Sequence, residues 1–123
     1  MAWVGQSIER VEDAALLTGR GRYIDDLPVS AATLHAAVLR SPHPHAVIRS
    51  LDASAARAAK GVAAVITAED VTRFGAPLFA GVKANIECWP IAVGKVRYVG
   101  EPVAVVLAAD RYLAEDALEL IEV

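Results

Sequence analysis

The chain has 123 residues, a mass of 13.0 kDa and 55% hydrophobic residues, which exclude a disordered chain and indicate one domain. Its 12 basic and 15 acidic residues give a formal net charge of −3, which favours neither a nucleic acid nor an anionic membrane surface as a partner. The longest stretch without a formal charge, residues 27–39, is too short to span a bilayer. We also expect no signal peptide, and the single cysteine, Cys88, excludes an internal disulfide, so a cytoplasmic location is predicted.

The first part of the chain predicts a helix, a turn and a strand. Residues 10–17 are rich in Glu and Ala and predict a short helix, and Gly19 is placed to end it in a left-handed conformation. Residues 19–26 predict a turn that leads into an extended piece. Residues 34–40 predict a strand, which the two prolines of residues 41–45 must end.

The middle of the chain predicts two strands around a helix. Residues 46–51 alternate well enough for a strand, and Asp52 is a suitable N-cap for a helix over residues 53–60. Gly61 is expected to close that helix. Residues 62–66 form a continuous apolar run, which predicts a strand covered on both faces.

The next segment predicts a short helix and then an irregular loop. Thr67 is expected to cap the helix, with Asp70 at the position of a capping-box acid. Residues 74–89 contain two glycines and a proline and predict an irregular loop.

The last part of the chain predicts two strands and a helix. Residues 95–99 and 102–108 read as strands joined around residues 100–101, with residues 103–107 in the core. Asp110 is expected to cap the final helix, whose acidic side chains form a solvated face. Its apolar stripe comprises Leu113, Ala114, Ala117, Leu118 and Ile121. The order of elements predicts an α+β fold with a small mixed sheet and short helices.

Two groups of residues suggest a ligand or metal site, and each has a structural alternative. The segment Gly19 to Arg22 has glycine N–H groups and two arginines that suit an anion, yet it follows a helix, where the dipole opposes an anion. A structural turn is the alternative. His43, His45 and Cys88 suggest three metal ligands, although no fourth ligand has a recognisable spacing, and the alternative is a rigid surface turn.

Cys88 and two pairs of adjacent carboxylates are the remaining candidates for catalysis. Cys88 as a nucleophile has no recognised motif around it, and a small buried side chain is the alternative. The pairs at residues 25–26 and 69–70 point in different directions on a strand or helix, so capping explains them better than acid–base chemistry. From the residues alone, we predict no catalytic, cofactor-binding or metal-binding residue.

Four blocks of sequence together resemble one known enzyme family. Residues 10–26 contain RVED, LTGRG and YIDD, and residues 34–45 read LHAAVLRSPHPH. Residues 61–70 read GVAAVITAED, and residues 96–117 contain VRYVGEPVAVV and DRYLAEDA. In order and spacing, the blocks resemble the opening of the large, molybdenum-binding subunits of the xanthine dehydrogenase family. The bacterial aldehyde and aerobic carbon monoxide dehydrogenases are the most similar branch.

The resemblance implies a fold and a place in a larger enzyme. Residues 1–123 are expected to form a single α/β hammerhead domain, the N-terminal domain of such subunits. The complete enzyme is implied to be a molybdenum hydroxylase that oxidises aldehydes, N-heterocycles or carbon monoxide with water-derived oxygen. Molybdopterin would bind to later domains of the same subunit, and 2Fe-2S and FAD would belong to partner subunits or domains. The catalytic glutamate and the glycine-rich cofactor loops are implied to lie in those later domains, so this chain would not be catalytic alone.

Three hypotheses therefore remain from the sequence. The first is a hammerhead domain of a molybdenum hydroxylase, with an open apolar surface where the other domains belong. The second is an independent binding module that keeps the fold and uses a pocket around Arg20, Arg22 and His43. The third is a self-contained metal or cysteine enzyme.

Three outcomes are expected of the purified chain. It should bind no molybdenum, flavin or iron, because no ligand set is visible. Val105→Asp should cost several kcal/mol by burying an unpaired carboxylate in the central strand. The isolated chain should self-associate, most simply as a homodimer, because interdomain contacts in larger proteins bury about 600–1,500 Å².

Overall fold

The computed structural model describes residues 4–78 and 87–123, and the chain divides into two units, residues 1–31 and 32–123. The first unit contains α1 (Asp13–Leu17) and a 3-10 helix (Ile24–Asp26). The predicted helix over residues 10–17 therefore begins later than expected, because residues 10–13 form a turn in which the Asp13 N–H donates to the Arg10 carbonyl. None of residues 4–31 is buried.

The second unit contains most of the regular structure. Its elements in chain order are β1 (His35–Arg40), β2 (Ala46–Val47), α2 (Ser54–Ala58), β3 (Val62–Ile66), α3 (Ala68–Phe74), β4 (Lys95–Val96), β5 (Pro102–Ala108) and α4 (Arg111–Leu118). β5 lies between β1 and β3 in a three-stranded sheet, and β2 pairs with β4 in a separate two-stranded sheet. All three strand pairs are antiparallel.

The main core lies where one face of the three-stranded sheet meets α2 and α4. On β5 the residues of that face are Ala104, Val106 and Ala108, none of which is exposed to solvent. The helices contribute Ala56, Ala114 and Ala117 among others, and the short side chains let the helices lie close to the sheet. Much of the high alanine content of the chain is therefore buried core.

A second, smaller core lies on the opposite face of β5. Val103 is buried there with Val96 of β4 and Ala92 of the preceding loop. Because successive residues of a strand point to opposite faces, one continuous apolar run on β5 serves both cores. The prediction that residues 103–107 lie in the central strand is confirmed, although Val105 and Leu107 are half-buried rather than buried.

Side-chain hydrogen bonds lie at the starts of three helices. Thr67 and Asp110 are the N-caps predicted, whereas the N-cap of α2 is Ala53 and not the predicted Asp52. The Asp110 carboxylate accepts the Leu113 N–H at 2.9 Å at the start of α4. The Asp52 carboxylate accepts the Ser54 N–H at 2.8 Å before α2, although α2 spans only five of the eight residues predicted. The Asp70 carboxylate accepts the Thr67 N–H at 2.8 Å at the start of α3.

Gly61 requires its glycine for two reasons. Its φ is +84°, in the left-handed region that favours glycine, although α2 ends at Ala58 and Gly61 therefore lies in the turn before β3 rather than closing the helix as predicted. A Cβ atom at this position would also lie 2.6 Å from Cδ1 of Leu113 in α4. The turn before β3 therefore sets how closely α4 approaches that strand.

The prediction that residues 62–66 are covered on both faces is wrong. β3 lies at the edge of its sheet, and Ala63 and Ala64 are exposed while Val65 is buried. The ladder between β3 and β5 also shifts its register between Val62 and Ala64. Alanine occurs both in buried and in exposed positions, so its presence says little about burial. An edge strand that contains alanines therefore has the same apolar pattern in the sequence as a covered strand.

Two other predicted strands are shorter than expected. The strand predicted over residues 46–51 is limited to β2, and the strand predicted over residues 95–99 is limited to β4. Residues 74–78 and 87–89 contain the end of α3 and an isolated bridge between Leu78 and Cys88, whereas the rest of the predicted loop lies outside the described residues.

The α+β class with small sheets and short helices is confirmed, and the strand directions are more uniform than a mixed sheet implies. The apolar stripe predicted for the last helix is also confirmed, with Ala114 and Ala117 buried in α4 and Ile121 buried beyond its end. Among the helices in residues 4–78 and 87–123, none has the length and apolar character that a membrane crossing requires.

Candidate functional site

The second unit contains a cleft of about 540 Å³ beside the loop that joins β1 to β2. Residues from this loop and from β2 form one side, and side chains of the smaller core form its floor, notably Val96 and Val103. Arg40, His43 and Arg49 also line it. The volume is within the range of small-molecule sites, roughly 300–1,000 Å³.

Hydrogen bonds of Ser41 shape the loop that borders the cleft. Its hydroxyl accepts the His43 N–H and donates to the His43 carbonyl, each at 3.0 Å, and so forms a tight turn ahead of Pro44. The two prolines of this loop further restrict the backbone around His43. The sequence therefore produces a rigid turn here, as predicted for residues 41–45.

A second turn, between β4 and β5, holds this loop in place. The Ser41 N–H donates to the Glu101 carbonyl at 3.0 Å, and the Gly100 N–H donates to the Ser41 carbonyl at 2.8 Å. Arg40 adds a hydrogen bond from its guanidinium to the Gly100 carbonyl at 2.9 Å. Gly100 has a φ of +88°, which favours glycine at this position.

Glu101 is a buried acid that supports the cleft loop, and sequence reasoning missed it. Its side chain is 8% exposed, and its carboxylate accepts the backbone N–H of Arg97 and lies 3.4 Å from Nη1 of the same residue. The sequence around residue 101 predicts only a turn between two strands. The sequence does contain one indication of this role, an acidic residue between Gly100 and Pro102, immediately before the apolar strand β5.

The cleft combines apolar side chains with basic ones, which suits it to binding. The residues that line it include two arginines and a histidine and no aspartate or glutamate. The hydroxyl of Ser41 is engaged with backbone groups, without a histidine side chain as a base. An apolar floor below a cationic rim fits a ligand or peptide with an apolar body and a negative charge.

The segment from Gly19 to Arg22 forms the turn that its structural alternative predicts. Gly19 has a φ of +68°, and the Arg20 N–H donates to the Ala15 carbonyl at 2.8 Å, which closes the end of α1. The Arg20 side chain donates to the Thr18 hydroxyl. Arg20 and Arg22 belong to the first unit and His43 to the second, and the residues that line the cleft belong to the second unit alone.

The candidate metal ligands do not form a cluster in the described part of the chain. His43 and His45 are exposed on their loop, and Cys88 is a half-buried free thiol bridged through its backbone to Leu78. Residues 4–78 and 87–123 contain no group of three or more His, Cys, Asp or Glu side chains that could hold a metal ion. Near Cys88, the Trp89 indole N–H donates to the Glu87 carboxylate at 3.3 Å.

Adjacent carboxylates at residues 25–26 and 69–70 take part in capping. The Asp26 carboxylate accepts the Tyr23 N–H at 2.9 Å at the 3-10 helix. The hydrogen bond from the Thr67 backbone N–H lowers the pKa of Asp70 below its ordinary value of 3.8, with smaller contributions from the Thr67 hydroxyl and from Arg57. A lowered pKa keeps Asp70 ionised, which suits a cap and does not suit a general acid.

We expect Asp70→Ala to lower the free energy of unfolding at neutral pH by about 1 kcal/mol, the usual loss for a helix cap. Because the pKa of Asp70 is lowered on folding, its contribution is present above the unfolded pKa of about 3.9 and is lost as the pH falls through the folded value. Urea unfolding from neutral to acidic pH should therefore show the parent and variant converging in acid. Glu69→Ala, which changes the neighbouring exposed carboxylate, is the matched control, and equal losses for both variants would contradict the assignment.

The described residues do not fit a molybdenum cofactor or an iron–sulfur cluster. They hold no cluster of metal-ligating side chains, and Gly19, Gly94 and Gly100, which have a positive φ, are separate turns without a shared phosphate-binding loop. We therefore derive no chemical step from these groups in this chain.

Comparison with known proteins decides the family. Residues 18–123 match the model of the aldehyde oxidase and xanthine dehydrogenase a/b hammerhead domain. The chain belongs to this family. The motifs that suggested this resemblance are thus confirmed, and the hammerhead domain includes both sheets and the cleft described above.

Individual relatives of this hammerhead domain are large subunits of oxidoreductases. The chain is 44% identical over 130 residues to the gamma subunit of the 6-hydroxypseudooxynicotine dehydrogenase complex of Paenarthrobacter nicotinovorans, across 99% of this chain and 16% of the relative. It is 38% identical over 120 residues to the carbon monoxide dehydrogenase large chain of Afipia carboxidovorans, across 98% of this chain and 15% of the relative.

A solved structure shows the same hammerhead fold. The crystal structure of quinoline 2-oxidoreductase from Pseudomonas putida 86 matches with a TM-score of 0.84 and 45% sequence identity, across 96% of this chain and 15% of that chain. The chain thus spans about 15% of the length of the proteins it matches.

Proposed function

We propose that this chain is the N-terminal hammerhead domain of a molybdenum hydroxylase large subunit and that its role there is structural. The observation that carries the proposal is the 44% identity across 99% of the chain to a subunit of which it spans only 16%. Fold alone does not fix an activity, so the chemistry is proposed for the complete subunit.

The complete enzyme is proposed to bind molybdopterin in further domains of the same subunit and to exchange electrons with partners that hold 2Fe-2S and FAD. Molybdopterin supplies the oxidation of a C–H bond or of carbon monoxide in such enzymes. The residues of this chain are proposed to provide packing surface and to bind no cofactor. We also propose that the complete enzyme is cytoplasmic.

Among aldehydes, N-heterocycles and carbon monoxide, we propose N-heterocycles as the substrate class. The relatives at 44% and 45% identity are named for a nicotine derivative and for quinoline, both of which contain a nitrogen heteroaromatic ring. The relative named for carbon monoxide is 38% identical. This difference supports the heterocycle assignment over the branch of bacterial aldehyde and aerobic carbon monoxide dehydrogenases that the sequence motifs favoured.

Expression in a host that makes the molybdenum cofactor tests the proposal. The protein of the full reading frame, produced with its neighbouring iron–sulfur and flavin subunits, is expected to contain molybdenum and to reduce a dye with quinoline or nicotine as substrate. Residues 1–123 alone are expected to contain none and to be inactive. Stoichiometric molybdenum bound to residues 1–123 after gel filtration would contradict the structural role.

A stand-alone binding module is the second candidate, because the cleft has an apolar floor and is lined by the cationic side chains of Arg40 and Arg49 and by His43. This function predicts saturable binding of benzoate, an aromatic anion, with NMR shift changes confined to residues 39–50, 96 and 103. A structural domain predicts no saturable shifts in the same titration. Arg49→Ala should weaken the binding if the module hypothesis is correct.

A further inference from the structure

The first unit of the chain exposes more apolar surface than a stable segment of its size can leave in water. None of residues 4–31, here called the N-terminal arm, is buried. Six of its large apolar side chains are at least 68% exposed: Val4, Val11, Leu17, Tyr23, Ile24 and Val29. A segment without buried side chains has no core to offset the entropy cost of ordering its backbone.

Local hydrogen bonds and ion pairs involve the polar groups of the arm, whereas its large apolar side chains are exposed. Arg10 lies 3.6 Å from the Asp13 carboxylate, and the Thr18 hydroxyl donates to the Ala14 carbonyl at 2.6 Å. Asp26 accepts the Tyr23 N–H. The arm is therefore shaped by short-range polar contacts, while Leu17 and Ile24, each 86% exposed, face water.

Helix α1 gives a further reason to expect a partner surface. It has five residues, and a helix of that length is unstable in water without tertiary packing. Its ends are nevertheless defined, by the turn at Arg10 and by the left-handed Gly19. Such a preformed shape with an apolar exterior is typical of a segment that packs against another part of a protein.

We propose that the N-terminal arm docks through Leu17 and Ile24 onto the part of the large subunit that lies outside these 123 residues. This inference rests on the proposed function, since it requires a larger subunit. We choose this partner because of the gamma subunit described above. It matches 99% of this chain, including the arm, and most of its own length lies outside the matched region. The partner surface is apolar, and the contact excludes water from both side chains.

Limited trypsin digestion tests the docking, since Arg20 and Arg22 lie within the arm between Leu17 and Ile24. In the protein of the full reading frame, cleavage at these arginines is expected to be at least tenfold slower than in residues 1–123 at high dilution. Burial of one large apolar side chain corresponds to a factor of about 10–100 in an equilibrium constant. Leu17→Asp in the larger protein should therefore accelerate cleavage at least about tenfold, because digestion follows the population of the open form.

Gln6→Asp is the matched control, because it adds the same charge at an exposed polar position of the arm. It should leave the cleavage rate of the larger protein unchanged. In residues 1–123 alone, Leu17→Asp should be cleaved at the parent rate, because the docking surface is missing from this protein. Ile24→Asp provides a second variant, at a residue that lies in the three-residue 3-10 helix and not in α1.

Equal cleavage rates in the larger protein and in residues 1–123 would overturn the docking, as would equal effects of Leu17→Asp and Gln6→Asp. Protection that appears in concentrated residues 1–123 and is absent from the larger protein would identify a second copy as the occupant and also overturn it. Molybdenum analysis of the same samples separates the two proposals. A molybdenum-containing protein with a rapidly cleaved arm contradicts only the docking, and a protected arm without molybdenum contradicts only the proposed function.

Discussion

Val106→Asp is expected to unfold the second unit of the chain. Val106 is fully buried at the centre of β5, opposite Ala37 of β1 and Val65 of β3. The introduced carboxylate would have no partner in the alanine-rich core, and burial of an unpaired charge costs several kcal/mol. Domains of this kind are stable by about 5–15 kcal/mol, so circular dichroism should show a strongly lowered melting temperature or no folded signal.

Three further variants allow the loss of stability in Val106→Asp to be compared with smaller expected losses. Val106→Ala removes two methyl groups and should cost about 2 kcal/mol. Val105→Asp changes the half-buried neighbour on the opposite face of β5 and should cost less than Val106→Asp, although the sequence alone singled out residue 105. Val99→Asp, at an exposed position of the turn before β5, should change stability by no more than about 0.5 kcal/mol. A Val106→Asp protein that melts like its parent would show that this core is not formed.

The central strand was predictable because its sequence leaves few alternatives. β5 has Val at residues 103, 105 and 106 and Leu at 107, so both faces are apolar and a solvent-exposed position is excluded. The same reasoning failed for β3, where Ala63 and Ala64 separate Val62 from Val65 and Ile66. The free energy of an alanine side chain differs little between water and a core, so the sequence does not distinguish an edge strand from a central strand. The observed strand order does.

Local signals located the starts of α2, α3 and α4 to within one or two residues, although they overestimated the length of α2. Asp52, Thr67 and Asp110 each lie at the start of a helix, and the hydrogen bonds of these caps involve residues at most three positions apart. Strand ends were less predictable, because they depend on a partner. β2 and β4 are limited to two residues each, although the apolar pattern around both continues further.

The cleft could not be predicted, because it depends on contacts between residues distant in sequence. The loop at Ser41 and the turn at Gly100 and Glu101 are joined by two backbone hydrogen bonds across about 60 residues. Each segment alone indicates only a turn. Both segments nevertheless belong to the blocks that carried the family resemblance, residues 34–45 and 96–106, so the most recognisable parts of the sequence meet at one place in the fold.

Glu101 illustrates why a buried acid escapes sequence reasoning. In the sequence it belongs to a predicted turn between two strands, whereas in the structure it is the buried carboxylate that holds the turn between β4 and β5. The carboxylate satisfies the Arg97 N–H and also lies against the Arg97 guanidinium. Its backbone carbonyl, in turn, holds Ser41 and the cleft loop.

We therefore expect Glu101→Ala to lower the free energy of unfolding by about 3 kcal/mol, the lower end of the range for breaking a buried ion pair. The lower end applies because the Arg97 side chain remains 32% exposed and can be partly hydrated once it is alone. Glu101→Gln keeps an acceptor for the Arg97 N–H and should lose less, whereas Glu119→Ala on the exposed surface after α4 should be nearly neutral. Urea unfolding of the three variants measures these differences, and NMR shifts at Ser41 and His43 should move only for the changes at residue 101. If Glu101→Ala and Glu119→Ala had the same unfolding midpoint, the turn would not depend on this carboxylate.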